Sequence, residues 1–235
     1  MQEGFFIAMQ IIDLSQEIYD GMAVHHTQPQ VKVSVHATHE QWNDEPQDKW
    51  VTPAVNKLEF SEHTGSHVDA ISHMGKRFSN VTIDRMPLSM FITRGICLDL
   101  SNKQPGELIT KKNLIAALGD QQILKGDTVL IYTDHYRRHF NTPEWANNPG
   151  LDEEAAIWLG VQKISAFGVE SMAPGVKGKT NKAVHHICGE MGFTHYENLI
   201  NLHQLLNKGP FQFIGLPLRI KGGTGSPVRA VAVFN

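Results

Sequence analysis

The chain is poor in cysteine: it has two in 235 residues, Cys97 and Cys188, and no CxxC pair. Two isolated thiols build neither a disulfide framework nor a thiolate zinc site, so a cytoplasmic setting is the simplest expectation. Long apolar runs are also missing. The longest, 128–132 and 230–234, are strand-length, far short of the roughly 20 residues that span a bilayer. Residues 1–9 lack the positive n-region and apolar core of a signal peptide and read as a short extension before a strand at Ile11-Ile12. Basic residues form only short pairs (Lys76-Arg77, Lys111-Lys112, Arg137-Arg138), and the formal net charge is −3. A nucleic-acid partner is therefore not expected. No repeat, low-complexity tract or linker divides the chain, so residues 1–235 read as one domain. With 41% hydrophobic and 19% charged residues, the composition is that of a folded globular protein rather than a disordered one.

Apolar strand-like runs recur at 31–36, 54–62, 95–100, 128–133, 163–168, 211–216 and 228–234. Each is rich in Val, Ile or Phe and bounded by Gly, Pro, Asp or Asn. Helical patterns lie between the later ones. Thr110 caps 111–118, acidic residues open 151–159, 181–190 stops near Gly192, and 195–206 follows Thr194. Strands early, then alternating helices and strands, predict an α/β or α+β fold with a mixed sheet.

Histidine is the excess: the chain has 13. Residues 63–73 read His-Thr-Gly-Ser-His-Val-Asp-Ala-Ile-Ser-His. Imidazole and carboxylate are ligands of zinc, manganese and similar divalent ions. Three imidazoles and a carboxylate in eleven residues give a three-ligand site and one spare acid/base. In a straight strand His63 and His67 would lie about 13 Å apart, at about 3.3 Å per residue. Bonds of about 2 Å to one ion cannot span that distance. The segment therefore has to bend, and Gly65, with no Cβ, is where it turns most cheaply.

A second cluster comprises His185, His186, His195 and Glu197. Thr194-His195-Tyr196-Glu197 fits a capping box, in which Glu197 reaches back to the helix start. On the residues alone, capping and metal ligation both stand for Glu197. Cys188 beside His185 and His186 offers a nucleophile, but a free cysteine is ordinarily core filling.

The segment from His63 to His73 resembles the H-x-G-T-H-x-D-x-P-x-H signature of the cyclase-like metal-dependent hydrolases, which include bacterial kynurenine formamidases and isatin hydrolases. Ser66 replaces Thr and Ile71 replaces Pro. Similar anchors run along the chain: Ile12-Asp13-Leu14-Ser15, Gly126-Asp127-Thr128, Pro149-Gly150-Leu151, and Gly223 through Arg229. The resemblance implies a barrel-like mixed sheet with peripheral helices, the swivelling β/β/α architecture. It implies that His63, His67 and Asp69 bind a metal, with His73 as catalytic acid/base. It pairs His185 with Glu197, twelve residues on, as ligands of a second ion, leaving His186 and His195 without a role. Zn²⁺ or Mn²⁺, one ion or two, is the implied cofactor, and a homodimer or homotetramer the implied assembly. The implied reaction is hydrolysis of an amide C–N bond in a formamide or small cyclic amide. A lactone or ester hydrolase, or a non-catalytic metal or small-molecule binding protein, is the alternative. Substrate contacts are expected from His25 and His26, from Asp134 and His135, where relatives have Gly-Trp, and from Ser226 in the Gly223–Arg229 pocket loop.

Overall fold

The structure, a computed structural model, describes residues 9–42 and 52–234. Residues 1–8 of the expected extension at 1–9 lie outside the described residues. The strands are β1 (Gln10–Asp13), β2 (Lys32–Ala37), β3 (Val55–Glu59), β4 (His67–Asp69), β5 (Ile92–Asp99), β6 (Leu108–Ile109) and β7 (Thr128–Tyr132). They continue as β8 (Gly150–Leu151), β9 (Ala166–Val169), β10 (Thr194–Glu197), β11 (Phe211–Ile214), β12 (Gly225–Pro227) and β13 (Val231–Phe234). The helices are α1 (Lys111–Leu118), α2 (His135–His139), α3 (Glu153–Val161) and α4 (Asn181–Met191).

Nine strands form one mixed sheet in the order β1-β13-β11-β5-β7-β9-β10-β4-β12. Its centre, β5-β7-β9-β10, is parallel, and the flanking strands run antiparallel. The central strands are covered on both faces, which is why Thr128–Tyr132 reads as an unbroken apolar run and is buried throughout. Cys97 lies buried in β5 and Cys188 buried in α4, both as free thiols. The exposed ribbon β2–β3 stands apart from this sheet.

Local chemistry sets the helix ends. Thr110 and Asn113 form a reciprocal capping box at α1. Asp152 caps α3 by accepting from the Ala155 N–H at 2.7 Å, while Leu151, expected inside that helix, pairs in β8. Gly192, at φ 76°, ends α4. The largest departure from expectation is at 195–206. Thr194–Glu197 is a strand, followed only by a single 3-10 turn at Leu202–Leu205. Pairing with β9 on one side and β4 on the other outweighs the capping box. The Thr194 hydroxyl donates to the Asp69 carbonyl instead of capping a helix. Asn198 and Asn201, at φ 54° and 60°, then turn the chain through the left-handed region. The expected strand 54–62 stops at Glu59, so the turn that carries His63 begins earlier than the sequence pattern suggested.

Candidate metal centre

The bend falls at Gly65, at φ 60°. The chain leaves β3, turns through Ser61–Thr64, and re-enters the sheet as β4 at His67. Ser66 fastens the turn: its hydroxyl donates to the Asn198 carbonyl at 2.6 Å and accepts from the Gln16 N–H at 2.7 Å. Gly225 on β12 lets His63 lie close, since a Cβ there would meet the imidazole Cε1 at 2.7 Å.

The floor of the site is a grid on two paired strands. On β4, His67 and Asp69 point the same way, two residues apart. On antiparallel β10, Glu197 stands opposite His67, and continuing the register puts His195 opposite Asp69. His63 reaches in from the Gly65 turn, His185 from α4, and His73 from the 3-10 turn Ile71–Met74.

Each carboxylate serves two sides. Asp69 Oδ1 is 2.8 Å from His63 Nδ1 and 3.5 Å from His67 Nε2. Asp69 Oδ2 is 3.2 Å from His195 Nε2, 3.6 Å from His185 Nε2 and 3.7 Å from His73 Nε2. Glu197 places Oε2 3.5 Å from His67 Nε2 and Oε1 3.3 Å from His195 Nε2. Among the described residues, two groups have donor atoms within 4.8 Å of one another: His63, His67 and Asp69, and Asp69, His185, His195 and Glu197.

Backbone acceptors aim two of the rings. His67 Nδ1 donates to the Gly65 carbonyl at 2.9 Å, and His185 Nδ1 to the Asn181 carbonyl at 2.7 Å. Each Nε2 is thereby turned toward the carboxylates, as ligating histidines require.

The electrostatics are those of a site that holds positive charge. Burial alone would raise the Asp69 pKa, but the adjoining His195, with His63 and His67, holds it well below the usual carboxylate range. Burial opposes a charged His195, yet the adjoining Asp69 outweighs it and pulls that pKa well above the ordinary imidazole value. His67 is raised the same way, against its burial, by Asp69 and Glu197. His185 and His73 are lowered, chiefly by burial, which keeps them neutral near pH 7.

These residues fit a divalent cation. A tetrahedron of bonds about 2.0–2.1 Å long has edges of about 3.4 Å. The nitrogen–oxygen separations of 3.2–3.6 Å around Asp69 and Glu197 cluster at that value. Of these pairs, only His63–Asp69, at 2.8 Å, forms a well-aligned hydrogen bond. It would open by about 0.5 Å to admit an ion. Both ring nitrogens of His195 are buried without a hydrogen-bond partner. Such a polar group ordinarily has one.

The pocket over the floor is lined by His25, His63, His73, Met172, Asn181 and Asn198, among others. A contiguous recess adds His26, Asn148 and Lys177. Asn198 donates to the Gly65 carbonyl through Nδ2 at 3.0 Å, while its Oδ1 is buried without a partner. Of the expected substrate contacts, His25 and His26 line these recesses. The other three lie elsewhere. His135 is buried in α2, stacked on Trp145 and bonded to its carbonyl at 3.0 Å. Asp134 sits 3.6 Å and 3.5 Å from Arg137 and Arg138. Ser226 accepts from the Leu218 N–H and donates to the Pro227 carbonyl, pinning its loop. The residue of that loop that meets the cluster is Thr224, whose hydroxyl is 3.1 Å from His63 Nε2. His186 is on the outer face of α4, 3.4 Å from Glu190.

The family resemblance gives His195 no role, and a helix over 195–206 would not set it on one face with Glu197. Read as a strand, the i, i+2 pair His195 and Glu197 shows one face, which is the signal that finds it.

Comparisons with known proteins find chains similar to this one. A family model described as "Putative cyclase" matches residues 12–176. An isatin hydrolase of Roseibium aggregatum is 28% identical over 219 residues, covering 86% of this chain and 81% of that protein. A kynurenine formamidase of Bacillus thuringiensis is 31% identical over 180 residues, covering 75% and 78%. Among solved structures, an isatin hydrolase bound to the product analogue thioisatinate superposes with a TM-score of 0.83 at 22% identity, over 96% of this chain and 92% of that one.

Proposed function

The chain belongs to the Cyclase family, and on that premise we propose that it is a metal-dependent hydrolase of non-peptide amide C–N bonds, such as an aryl formamide or a small cyclic amide like isatin. The observation that carries the reading is the arrangement around Asp69. Two carboxylates are shared among four imidazoles, with a further imidazole, His73, beside them at the pocket.

His63, His67 and Asp69 would hold one ion, with His185 and Glu197 reaching the other side of Asp69. A divalent ion there, Zn²⁺ or Mn²⁺, supplies Lewis acidity that polarises a carbonyl and acidifies water. The protein's part is to position and to move protons. His73 is the one cluster imidazole that is substantially open, with 35% of its side chain exposed. Kept neutral by burial, its Nε2 accepts the proton of the attacking water and returns it to the leaving nitrogen as the C–N bond breaks. Asn198 and His25 line the pocket and His26 the adjoining recess, where they would contact the substrate. The same reading takes residues 1–235 as one catalytic domain acting in the cytoplasm as a homodimer or homotetramer. The exposed ribbon β2–β3, with Val35, Val55 and Leu58 uncovered, supports such an assembly.

The test is to strip the protein with chelator, reload it with Zn²⁺ or Mn²⁺, and assay aryl formamides, isatin, lactams and esters. Metal-restored amide cleavage is the expected result. Turnover of esters and lactones alone, or full activity without metal, would reject it.

A further inference from the structure

We propose that His195 is a metal ligand, and that with Asp69, His185 and Glu197 it builds a closed, four-donor site that differs in kind from the open site at His63, His67 and Asp69. The inference rests on the metal-hydrolase reading above and adds a residue and a division of labour that the sequence resemblance does not supply.

Four observations carry it. His195 is fully buried, and neither ring nitrogen has a hydrogen-bond partner. Its Nε2 is nonetheless 3.2 Å from Asp69 Oδ2 and 3.3 Å from Glu197 Oε1. Those separations match the edges of a metal tetrahedron, about 3.4 Å, but the ring is aligned to hydrogen-bond with neither oxygen. A histidine placed there only to pair with a carboxylate would point its N–H along that pair. Third, the ring is held in place. It stacks on Phe167 at 5.4 Å and stands edge-on to His185 at 4.8 Å, on a strand fixed by pairing on both sides. Fourth, the carboxylates divide their oxygens. Asp69 Oδ2 and Glu197 Oε1 face His195, while Asp69 Oδ1 and Glu197 Oε2 face His67.

The count of donors then separates the two sites. Asp69, His185, His195 and Glu197 offer four donor atoms within 4.8 Å of one another, the ligand number of a structural zinc site, which would leave no place for water. His63, His67 and Asp69 are three donors beside His73 and the pocket, which leaves a position open to solvent and substrate. One ion would be a fixed charge bound within the sheet, and the other the exchangeable ion that meets the substrate.

Metal content after saturation with Zn²⁺ and desalting, followed by the time course of release to a chelator, tests this on the full-length protein. The wild type should hold two ions, one leaving at least about tenfold more slowly than the other. His195→Phe, which keeps a flat ring against Phe167, should hold one ion and lose the slow phase. Two ions with unchanged release in His195→Phe would overturn the proposal, as would a saturated wild type holding one ion. No ion in the wild type would overturn the metal-hydrolase reading as well. Should His195→Phe not fold, Co²⁺ titration of the wild type decides. The intense visible absorption of tetrahedral cobalt should appear with the first equivalent bound. Its absence at both equivalents would overturn the closed site.

Discussion

His195 and Asp69 face each other across two antiparallel strands, Nε2 to Oδ2 at 3.2 Å, both almost wholly buried. They are 126 residues apart in the chain, and sheet register alone brings them together. The ligand set is therefore a product of strand pairing more than of any local motif. A one-residue slip between β4 and β10 would turn the partners to opposite faces.

His73 should be separable from metal binding. It is half-exposed and 3.7 Å from the nearest Asp69 oxygen, at the pocket side of the cluster. His73→Ala is expected to lower kcat by about 10²- to 10⁴-fold. Metal content should stay at the wild-type level. A variant that keeps full turnover with normal metal content would remove His73 from proton transfer.

Gly65 should resist replacement. At φ 60° an L residue is strained by roughly 1–2 kcal/mol, and an added Cβ would touch Ile18 at 3.4 Å. The Gly65 carbonyl also accepts from His67 and from Asn198. Gly65→Ala is expected to lose about that much stability in urea unfolding and to bind metal about 10- to 100-fold more weakly through the misaimed His67.

Glu170 should give the protein a pH-dependent stability unrelated to the metal ligands. Burial pushes its pKa up to about 7 from 4.5, against hydrogen bonds from the Thr133 N–H and hydroxyl. The folded protein thus keeps a proton that the unfolded chain has lost. Stability falls as pH rises from about 4.5 to about 7, by on the order of 3 kcal/mol, and levels off on either side. Glu170→Gln should lack this slope. Denaturant titrations of both proteins at pH 5 and 8 check it, and equal pH dependence would reject the assignment.

Thiol reagents should leave the native protein active. Cys97 and Cys188 are both buried, and burial pushes both thiols above their ordinary pKa. Iodoacetamide is expected to label neither before unfolding. Rapid inactivation that chelator does not mimic would favour a cysteine mechanism.

The bend at Gly65 was legible because two ligands of one ion cannot sit about 13 Å apart on a straight strand. Helix α1 was legible because Thr110 and Asn113 act locally. Strand β10 was not. Thr194-His195-Tyr196-Glu197 satisfies a local capping rule, and only its neighbours β9 and β4, distant in sequence, override it. The same nonlocality hid His195. Asp134 and His135 pointed to the substrate because they replace residues of the family pattern, but the chain there closes into α2 over Trp145.

Of the parallel strands at the centre of the sheet, only β10 carries metal ligands. β5, β7 and β9 contribute no donor to the cluster, and the ligand-bearing β4 is three residues long beside the edge strand β12. Hydrogen exchange should divide along that line. After chelation, amides at 67–69 and 225–226 should exchange faster, while those at 129–131 stay protected. The scaffold would then outlast its ions, and a chelated protein would keep a folded centre around which the site can reassemble when metal returns.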